Sequence, residues 1–390
     1  MIPEFDVLLS NSNKFQREFC VFPTKNNLIE VLGNTFEKQK EIVSHARGKI
    51  IVHSKIIEVI EKFLQRKCIE GSTREKQLYA NMSVMDFVKR CILKRPLVFM
   101  GSNDFTISRT GQKLKYPDDL QIEDYISYEE MAISAYLGVS TPTFFINDGS
   151  RNNSGEIGKP GTFQEFGIYV ALVGARFENN KEMESRFILN QDFEKEWEVL
   201  YKKDKNSALN KKFNEEAYKI RMRITAETFF TEAEMRGSEY KKSVWCRLVG
   251  FGLGVWTYDK KIQTKNFLSV FIDVLISSNF KNIKIVDFTW FDTQDTQFTN
   301  KIIQTQNGNP IELLFSQNNP AKKLPEEYLL IASYAWDSNS FPGNEYWIGS
   351  LTASGDPAAA CCSTIPELQN PYINRFFENI SIISVMDTKK

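Results

Sequence analysis

The sequence contains very little histidine, with only two such residues among 390. Both of them, His45 and His53, lie in the N-terminal part of the chain. A Ser-His-Asp triad, a Cys-His dyad or a histidine-bound zinc ion would need one of these two residues to reach a distant partner. We therefore expect any acid–base chemistry in this chain to depend on carboxylates.

The sequence also lacks a net charge, because 49 basic residues balance 49 acidic ones. A nucleic-acid-binding protein usually shows a basic excess, so we expect no nucleic-acid partner. No uncharged apolar run reaches membrane-spanning length, and the first fifteen residues do not resemble a signal peptide. The six cysteines show no metal-ligand spacing and no disulfide framework, which is typical of a reducing compartment. We expect a cytoplasmic protein with no membrane partner.

The chain has ample material for a large core, since 42% of its residues are hydrophobic and 30 are phenylalanine. Its length exceeds the usual size of a single core. Apolar residues at spacings of three and four predict helices from about residue 26 to residue 95. We predict a helical N-terminal module over residues 1–110 and an α/β domain over residues 111–390. The module could bind a partner or simply pack on the domain.

One stretch near the C terminus has the features of a ligand site. The apolar run Leu329–Ala335 predicts a buried strand, and a polar loop with Asp337, Asn339 and Asn344 follows it. Residues 354–357 then predict the start of a helix rich in small residues, whose first N–H groups favour an anion. Two interpretations stay open, a phosphorylated-ligand site beyond the strand end or an ordinary loop beside a tightly packed helix.

A second stretch, residues 244–291, predicts a strand, a glycine-rich turn, a helix and another strand. The predicted strands cover residues 245–249 and 283–290, the helix covers 263–278, and the turn contains Gly250, Gly252 and Gly254. Alternate glycines permit tight turning and a close approach of the backbone to a ligand. The turn lacks the lysine of a nucleoside-triphosphate loop and the fuller dinucleotide pattern. Its position between a strand and a helix therefore carries the prediction.

Three carboxylates lie on or just after the second of these strands, namely Asp287, Asp292 and Asp295. An open α/β sheet binds its ligands beyond the carboxyl ends of its strands. These side chains could therefore orient a water molecule or bind a ribose hydroxyl. The alternative is that Asp292 and Asp295 cap a turn.

The region before these two stretches contains further predicted strands and a strongly charged segment. A short strand is predicted at residues 143–146, and a second predicted strand, over residues 167–177, carries Arg176 near its end and leads into Glu178. These two side chains would share a face of an extended strand, or they could form a local salt bridge. From residue 182 to about residue 238, charges of alternating sign predict a mostly helical segment with a solvated face.

Several of these segments together resemble a known protein family. The segments are GIYVALVGARFE, VGFGLGVW, VDFTWF, YAWDSNSFPGNEYW and SGDPAAACCSTIPELQNP. They are similar to the MavL-like macrodomain ADP-ribosylhydrolases, which are related to macrodomains of the poly(ADP-ribose)-glycohydrolase type. The resemblance covers roughly residues 136–374. The signature motif of the poly(ADP-ribose) glycohydrolases is absent, and Gln164 and Glu165 are at most a partial match to it.

The resemblance implies a macrodomain-like mixed sheet flanked by helices, and an enzyme that removes ADP-ribose from modified proteins by hydrolysing an N-glycosidic bond. The best-known target in the family is arginine-linked ADP-ribose on ubiquitin. The resemblance implies that Asp287 and Asp295 are catalytic. The predicted ligand-binding residues are Gly250, Gly252, Leu253, Gly254, Val255, Trp256, Asp292, Asp337, Asn339, Phe341, Gly343 and Asn344.

The sequence says less about the cofactor, the partner and the location of the protein than about its fold. We expect no cofactor, although a magnesium requirement stays open because carboxylates serve both metal binding and water activation. The expected partner is an ADP-ribosylated protein, and the oligomeric state is open. Because the family includes bacterial effectors, a host cytosol is the alternative to the organism's own cytoplasm. The alternative function is a module that binds ADP-ribose without cleaving it.

Overall fold

A nine-stranded mixed sheet organises the protein, as seen in a computed structural model. The residues that the structure describes are 4–96, 106–107, 113–114, 122–123, 125–202, 213–291, 301–338, 341–343, 346, 349, 351, 355–375 and 379–383. The strands are β1 (Lys49–His53), β2 (Arg95–Pro96), β3 (Thr106–Ile107), β4 (Lys113–Leu114), β5 (Tyr125–Ile126), β6 (Leu137–Phe144), β7 (Phe166–Leu172), β8 (Ser243–Leu248), β9 (Ile283–Thr289), β10 (Lys301–Gln304), β11 (Pro310–Ser316), β12 (Tyr328–Ala335) and β13 (Ile380–Ile383).

The order of strands across the large sheet is β10-β11-β9-β8-β12-β7-β6-β1-β13. Strands β6 and β10 run opposite to the other seven. The short strands pair separately, β2 with β5 and β3 with β4. Five adjacent strands, β11, β9, β8, β12 and β7, are therefore parallel and end at one edge of the sheet.

Helices flank this sheet, which confirms the predicted mixed α/β class. They are α1 (Phe5–Glu18), α2 (Ile29–Leu32), α3 (Phe36–His45), α4 (Ser54–Glu70), α5 (Thr73–Tyr79), α6 (Val84–Leu93), α7 (Tyr128–Ser134), α8 (Glu215–Tyr240), α9 (Lys260–Ser277), α10 (Gly355–Cys361) and α11 (Ile365–Leu368). A π-helix covers Ser185–Asn190 and a 3-10 helix covers Lys195–Val199. Helix α8 packs on strands from both halves of the sheet, and α9 packs on α8. Within the described ranges, no helix is long and apolar enough to span a bilayer.

The two stretches singled out in the sequence fold as predicted. Strand β12 forms from the apolar run that was expected to be buried, and every residue between its two ends is buried. The succession β8, glycine-rich turn, α9 and β9 is the predicted strand–turn–helix–strand unit. The apolar residues of β8 and β9 lie in the main core, which explains why the pattern was readable.

Three predictions of local structure were wrong. Lys49–His53 was assigned to a helix but forms β1, because three successive β-branched residues suit a buried strand. The strand expected to reach residue 177 ends at Leu172, and Gly174 follows in close contact with the turn after β8. The strand expected at residues 143–146 is β6, which begins six residues earlier, at Leu137.

The charged segment is helical over Glu215–Tyr240, as predicted, but its charges are not all solvated. Residues 182–238 were expected to present a solvated helical face, yet Arg221, Glu232 and Arg236 of α8 are buried. Each of these charges is paired, so burial does not leave it without a counter-charge.

Strand β1 bears on the predicted division of the chain near residue 110. It lies between β6 and β13, antiparallel to the first and parallel to the second. Residues from the predicted N-terminal module therefore share a sheet with residues from the predicted α/β domain. The division into two domains stays a prediction.

Candidate ligand site at the carboxyl edge of the sheet

Three loops meet where the parallel strands end. One loop follows β7, one follows β12 and one follows β8, and these three strands are neighbours in the sheet. In an open α/β sheet, such an edge is where ligands bind. Most of the predicted ligand-binding residues that the structure describes belong to the last two loops.

The inner part of the loop after β8 packs against the loop after β7. Gly252 has φ = 69°, and a Cβ atom there would overlap the carbonyl oxygen of Ala175. A Cβ atom on Gly174 would in turn overlap the backbone of Phe251 and Gly252. Leu253 is half-buried, and its amide donates to the carbonyl of Gly250 at 3.2 Å. The first two glycines of the turn therefore shape the loop and let two backbones approach each other.

The outer part of the same loop is open. No atom lies within 4 Å of the position that a Cβ atom on Gly254 would take, and Val255 is 95% exposed. Among the described residues, no acceptor bonds to the backbone amides of Gly254, Val255 and Trp256. Unpaired amides on a turn between a strand and a helix form a typical site for a phosphate group.

Arg176 joins this loop to the loop after β12. Its guanidinium lies over the ring of Trp256 at 4.3 Å, and its Nη1 donates to the carbonyl of Asp337 at 2.5 Å. Its Nε donates to Glu178 at 3.0 Å, so the local salt bridge was the correct alternative for this pair. Burial raises the pKa of the Glu178 carboxyl, and Arg176 acts in the opposite direction.

Asp287 lies on β9 and is completely buried. Its Oδ2 is 3.6 Å from the Nε of Arg247 on β8 and accepts a hydrogen bond from the Nδ2 of Asn318 at 3.4 Å. Its Oδ1 has no hydrogen-bond partner in the part of the chain that the structure describes. Arg247 in turn donates to the carbonyls of three residues after β11, Asn319, Pro320 and Lys322. The carboxylate therefore balances a buried cation and has one oxygen left for another donor.

The remaining described candidates lie after β12. Asp337 is buried, and so is Phe341, whose ring packs at 5.7 Å from the ring of Tyr372. Gly343 has φ = 88°, and its amide donates to both carboxylate oxygens of Asp356 in the first turn of α10. The small residues of α10 are buried in the core, which supports tight packing as their role.

Four predicted site residues lie outside the described residues. They are Asp292, Asp295, Asn339 and Asn344. Their roles stay predictions. Asp295 is one of the two predicted catalytic residues, so half of that pair is untested.

One group of carboxylates in the described ranges is close enough to share a metal ion, namely Glu129, Glu194 and Glu196. Each is already paired with a cation. The partners are Arg66, Lys67 and Arg186. This arrangement is that of an ion-pair network, and the question of magnesium stays open.

Sequence reasoning missed Arg247, although it left a signal. An arginine inside the apolar run VWCRLV has to meet a counter-charge if the run is a buried strand. The strand pairing places Arg247 directly opposite Asp287, one strand away. The register between β8 and β9, which the sequence does not reveal, was needed to see this pair.

Comparison with known proteins yields a family model and two similar proteins, which all point to the same enzyme family. A family model described as "ADP-ribosylhydrolase MavL-like" matches residues 6–196 and 188–389 of the chain. A Drosophila melanogaster protein named "ADP-ribosylarginine hydrolase CG3568" is 31% identical over 388 residues, covering 84% of this chain and 76% of its own. A second one, "ADP-ribosylarginine hydrolase CG2909", is 30% identical over 390 residues, covering 84% and 77%.

Proposed function

This chain belongs to the MavL-like ADP-ribosylhydrolase family, and from that premise we propose that it removes ADP-ribose from arginine side chains of modified proteins. The family gives the reaction class, hydrolysis of a glycosidic bond to ADP-ribose. The arginine linkage is supported by the names of the two Drosophila relatives, each of which matches 84% of this chain. The structural feature that carries the proposal is the set of unpaired amides at Gly254, Val255 and Trp256.

The pyrophosphate of ADP-ribose is the group that these amides suit. Backbone N–H groups after a strand and before a helix bind phosphate oxygens without needing a basic side chain. This explains how a chain with no net charge can bind a doubly anionic ligand. Leu253 and Trp256 line the same loop, and the loop with Asp337, Asn339, Phe341, Gly343 and Asn344 is proposed as the opposite wall. In this proposal the protein binds ADP-ribose between two loops, as in a macrodomain.

The reaction adds water across the bond between the ribose C1″ atom and a guanidinium nitrogen. The bond breaks, the oxygen of water joins the ribose, and the nitrogen keeps the electron pair and gains a proton. Positive charge develops on the ribose in the transition state, and a nearby carboxylate stabilises it or orients the water. We propose Asp287 and Asp295 for these tasks. The Oδ1 of Asp287, which has no hydrogen-bond partner among the described residues, supports its inclusion.

The protein that carries the modification is a separate proposal. Ubiquitin as the target rests on the family resemblance, and it belongs in the assay beside a second arginine-modified protein. A cytoplasmic location is supported by the six cysteines, all of which are free thiols.

The test is a comparison of linkages. The full-length protein is incubated with arginine-, glutamate- and serine-linked ADP-ribosyl proteins, with and without a chelator, and released ADP-ribose is quantified. We expect release from the arginine-linked substrates. Release from another linkage alone would contradict the proposed substrate, and tight binding of ADP-ribose without any release would favour the non-catalytic alternative. Loss of activity on chelation would show a metal requirement.

A further inference from the structure

A series of ion pairs and hydrogen bonds connects helix α8 with the candidate ligand site. It begins at Arg221, which is completely buried near the N-terminal end of α8. The Nη2 of Arg221 donates to the carbonyls of Val173 and Gly174 at 3.1 and 3.3 Å, just after β7 ends. Its Nε donates to Glu184 at 2.5 Å. A rigid helix therefore binds the backbone of the loop after β7 directly.

Glu184 carries the connection from α8 into the site. Its other oxygen accepts a hydrogen bond from the backbone amide of Arg176 at 2.9 Å. The side chain of Arg176 then reaches Glu178, the carbonyl of Asp337 and the ring of Trp256. One continuous set of contacts thus runs from α8 through the loop after β7 to the loops after β12 and β8.

We infer that Arg221, Glu184 and Arg176 are positioning residues that hold the proposed phosphate-binding loop, and Trp256 in particular, in the geometry that binds the ligand. None of them is assigned to contact the reacting atoms. Their effect is exerted through the loop, because Phe177 also donates its amide to the carbonyl of Trp256 at 3.1 Å. The inference about loop geometry is independent of the ligand, whereas its consequence for catalysis rests on the proposed function.

The chemistry of these contacts requires arginine rather than any cation. Arg221 uses two nitrogens to hold three backbone carbonyls and one carboxylate. Arg176 uses its planar group both for stacking and for two hydrogen bonds in different directions. A lysine keeps the charge but presents it as a single point, and it cannot span both partners. Substitution by lysine therefore separates the loss of geometry from the loss of charge.

Helix α8 offers a matched control. Arg236 lies near the other end of the helix, is as buried as Arg221, and pairs with Glu232 at 2.7 Å. It bonds to Ser140 and the carbonyl of Arg47, and within the part of the chain that the structure describes none of its hydrogen bonds reaches the three loops. Arg236→Lys should therefore cost stability without disturbing the ligand site.

The experiment compares Arg221→Lys, Arg176→Lys and Arg236→Lys in the full-length protein. Amide hydrogen exchange is followed at the hydrogen-bonded amides within residues 249–257, namely those of Phe251, Leu253 and Thr257. KM and kcat are measured on arginine-linked substrate. We expect exchange in residues 249–257 to accelerate about tenfold or more in the two site variants and to stay at the wild-type rate in Arg236→Lys. We expect KM to rise about tenfold with kcat changed much less, because the loop binds substrate and transition state alike.

Glu178→Gln provides a milder variant in case a buried arginine variant does not fold. Its side chain is 19% exposed, and glutamine keeps an acceptor for Arg176 while removing the charge. We expect a smaller acceleration of exchange in the same segment. Wild-type exchange in residues 249–257 of the folded site variants would overturn the inference. Accelerated exchange together with no ADP-ribose binding by the wild type would leave the positioning role in place and overturn the proposed function instead.

Discussion

At the scale of single residues, Glu367 is a buried acid whose hydrogen-bond partners among the described residues, Ser12 and Ile29, carry no charge. It lies on α11, and its two oxygens accept hydrogen bonds from the Oγ of Ser12 and the backbone amide of Ile29, at 2.5 and 2.6 Å. Burial raises the pKa of its carboxyl to about 7. The contacts tie the N-terminal segment to the C-terminal helix.

We predict that Glu367 makes the protein less stable as pH rises. The folded state binds the proton more tightly than the unfolded state, whose pKa is near the ordinary 4.5, so the free energy of unfolding falls between about pH 4.5 and 7. With about 1.4 kcal/mol per pKa unit, the loss is roughly 3 kcal/mol. Glu367→Gln stays neutral, and its amide oxygen can accept from the Ile29 amide while its NH2 group donates to the Ser12 Oγ, so its stability relative to the wild type should increase by this amount from pH 4 to pH 8. An equal pH dependence in both proteins, measured by denaturant unfolding, would contradict this.

A single substitution at Asp287 can also distinguish a role in catalysis from a role as the counter-charge of Arg247. Asp287→Asn preserves volume and an acceptor but removes the charge that faces Arg247. If the carboxylate acts in the reaction, turnover should fall about a hundredfold, the usual scale for a positioned acid–base group. Affinity for ADP-ribose should change much less, because in our proposal the loop after β8 binds the pyrophosphate. Measurements are made well below the melting temperature, because an unpaired buried arginine lowers stability.

A control for this change is Asp273→Asn. Asp273 lies on α9, is mostly exposed and pairs with Arg223 at the surface, so the same chemical change there should leave turnover unaffected. Wild-type turnover in folded Asp287→Asn would remove Asp287 from the proposed mechanism and leave it as the counter-charge of Arg247.

At the scale of elements, the sequence predicted those whose apolar pattern is regular and failed where charges are buried. Strands β8, β9 and β12 are mostly apolar and bounded by turn residues, and they were predictable for that reason. Helix α8 is 26 residues long with charges throughout, so its pattern suggested a solvated face. Its partners, such as Glu184 and Ser140, are distant in sequence, and no local pattern could show that these charges are paired inside the protein.

Strand β1 leads to a prediction about the whole N-terminal part. A fragment covering residues 111–390 lacks β1, and its absence leaves an edge of β6 unpaired and β13 without its neighbour. Buried residues of β1 such as Ile51 and Val52 also leave the main core. We expect this fragment to show no cooperative thermal unfolding and to bind an apolar dye. A fragment that unfolds cooperatively, as the full-length chain should, would support the division into two domains near residue 110.

At the scale of the whole molecule, the candidate site is a product of strand order. The glycine-rich turn and the loop after β12 are about eighty residues apart in the sequence, and they become neighbours because β8 and β12 are adjacent. The sequence predicted both loops, and their role in ligand binding stays a prediction. It could not predict that the loop after β7 lies against them or that Arg176 bridges them, because both facts depend on the order of strands. The prediction that Gly252 contacts the ligand is better applied to Gly254, since Gly252 is occupied by loop packing.

The most direct test measures how tightly two variants, Gly254→Val and Gly308→Val, bind ADP-ribose. The hydrolysis rate of each variant is measured in parallel. Both positions have open space around the missing Cβ atom, but Gly308 lies in the turn between β10 and β11. We predict that Gly254→Val melts like the wild type yet binds ADP-ribose at least about tenfold more weakly, because the new side chain excludes the pyrophosphate from the amides. Gly308→Val, strained by φ = 79°, should lose stability and keep its affinity. Wild-type affinity and hydrolysis in Gly254→Val would contradict the assignment of this loop as the ligand site.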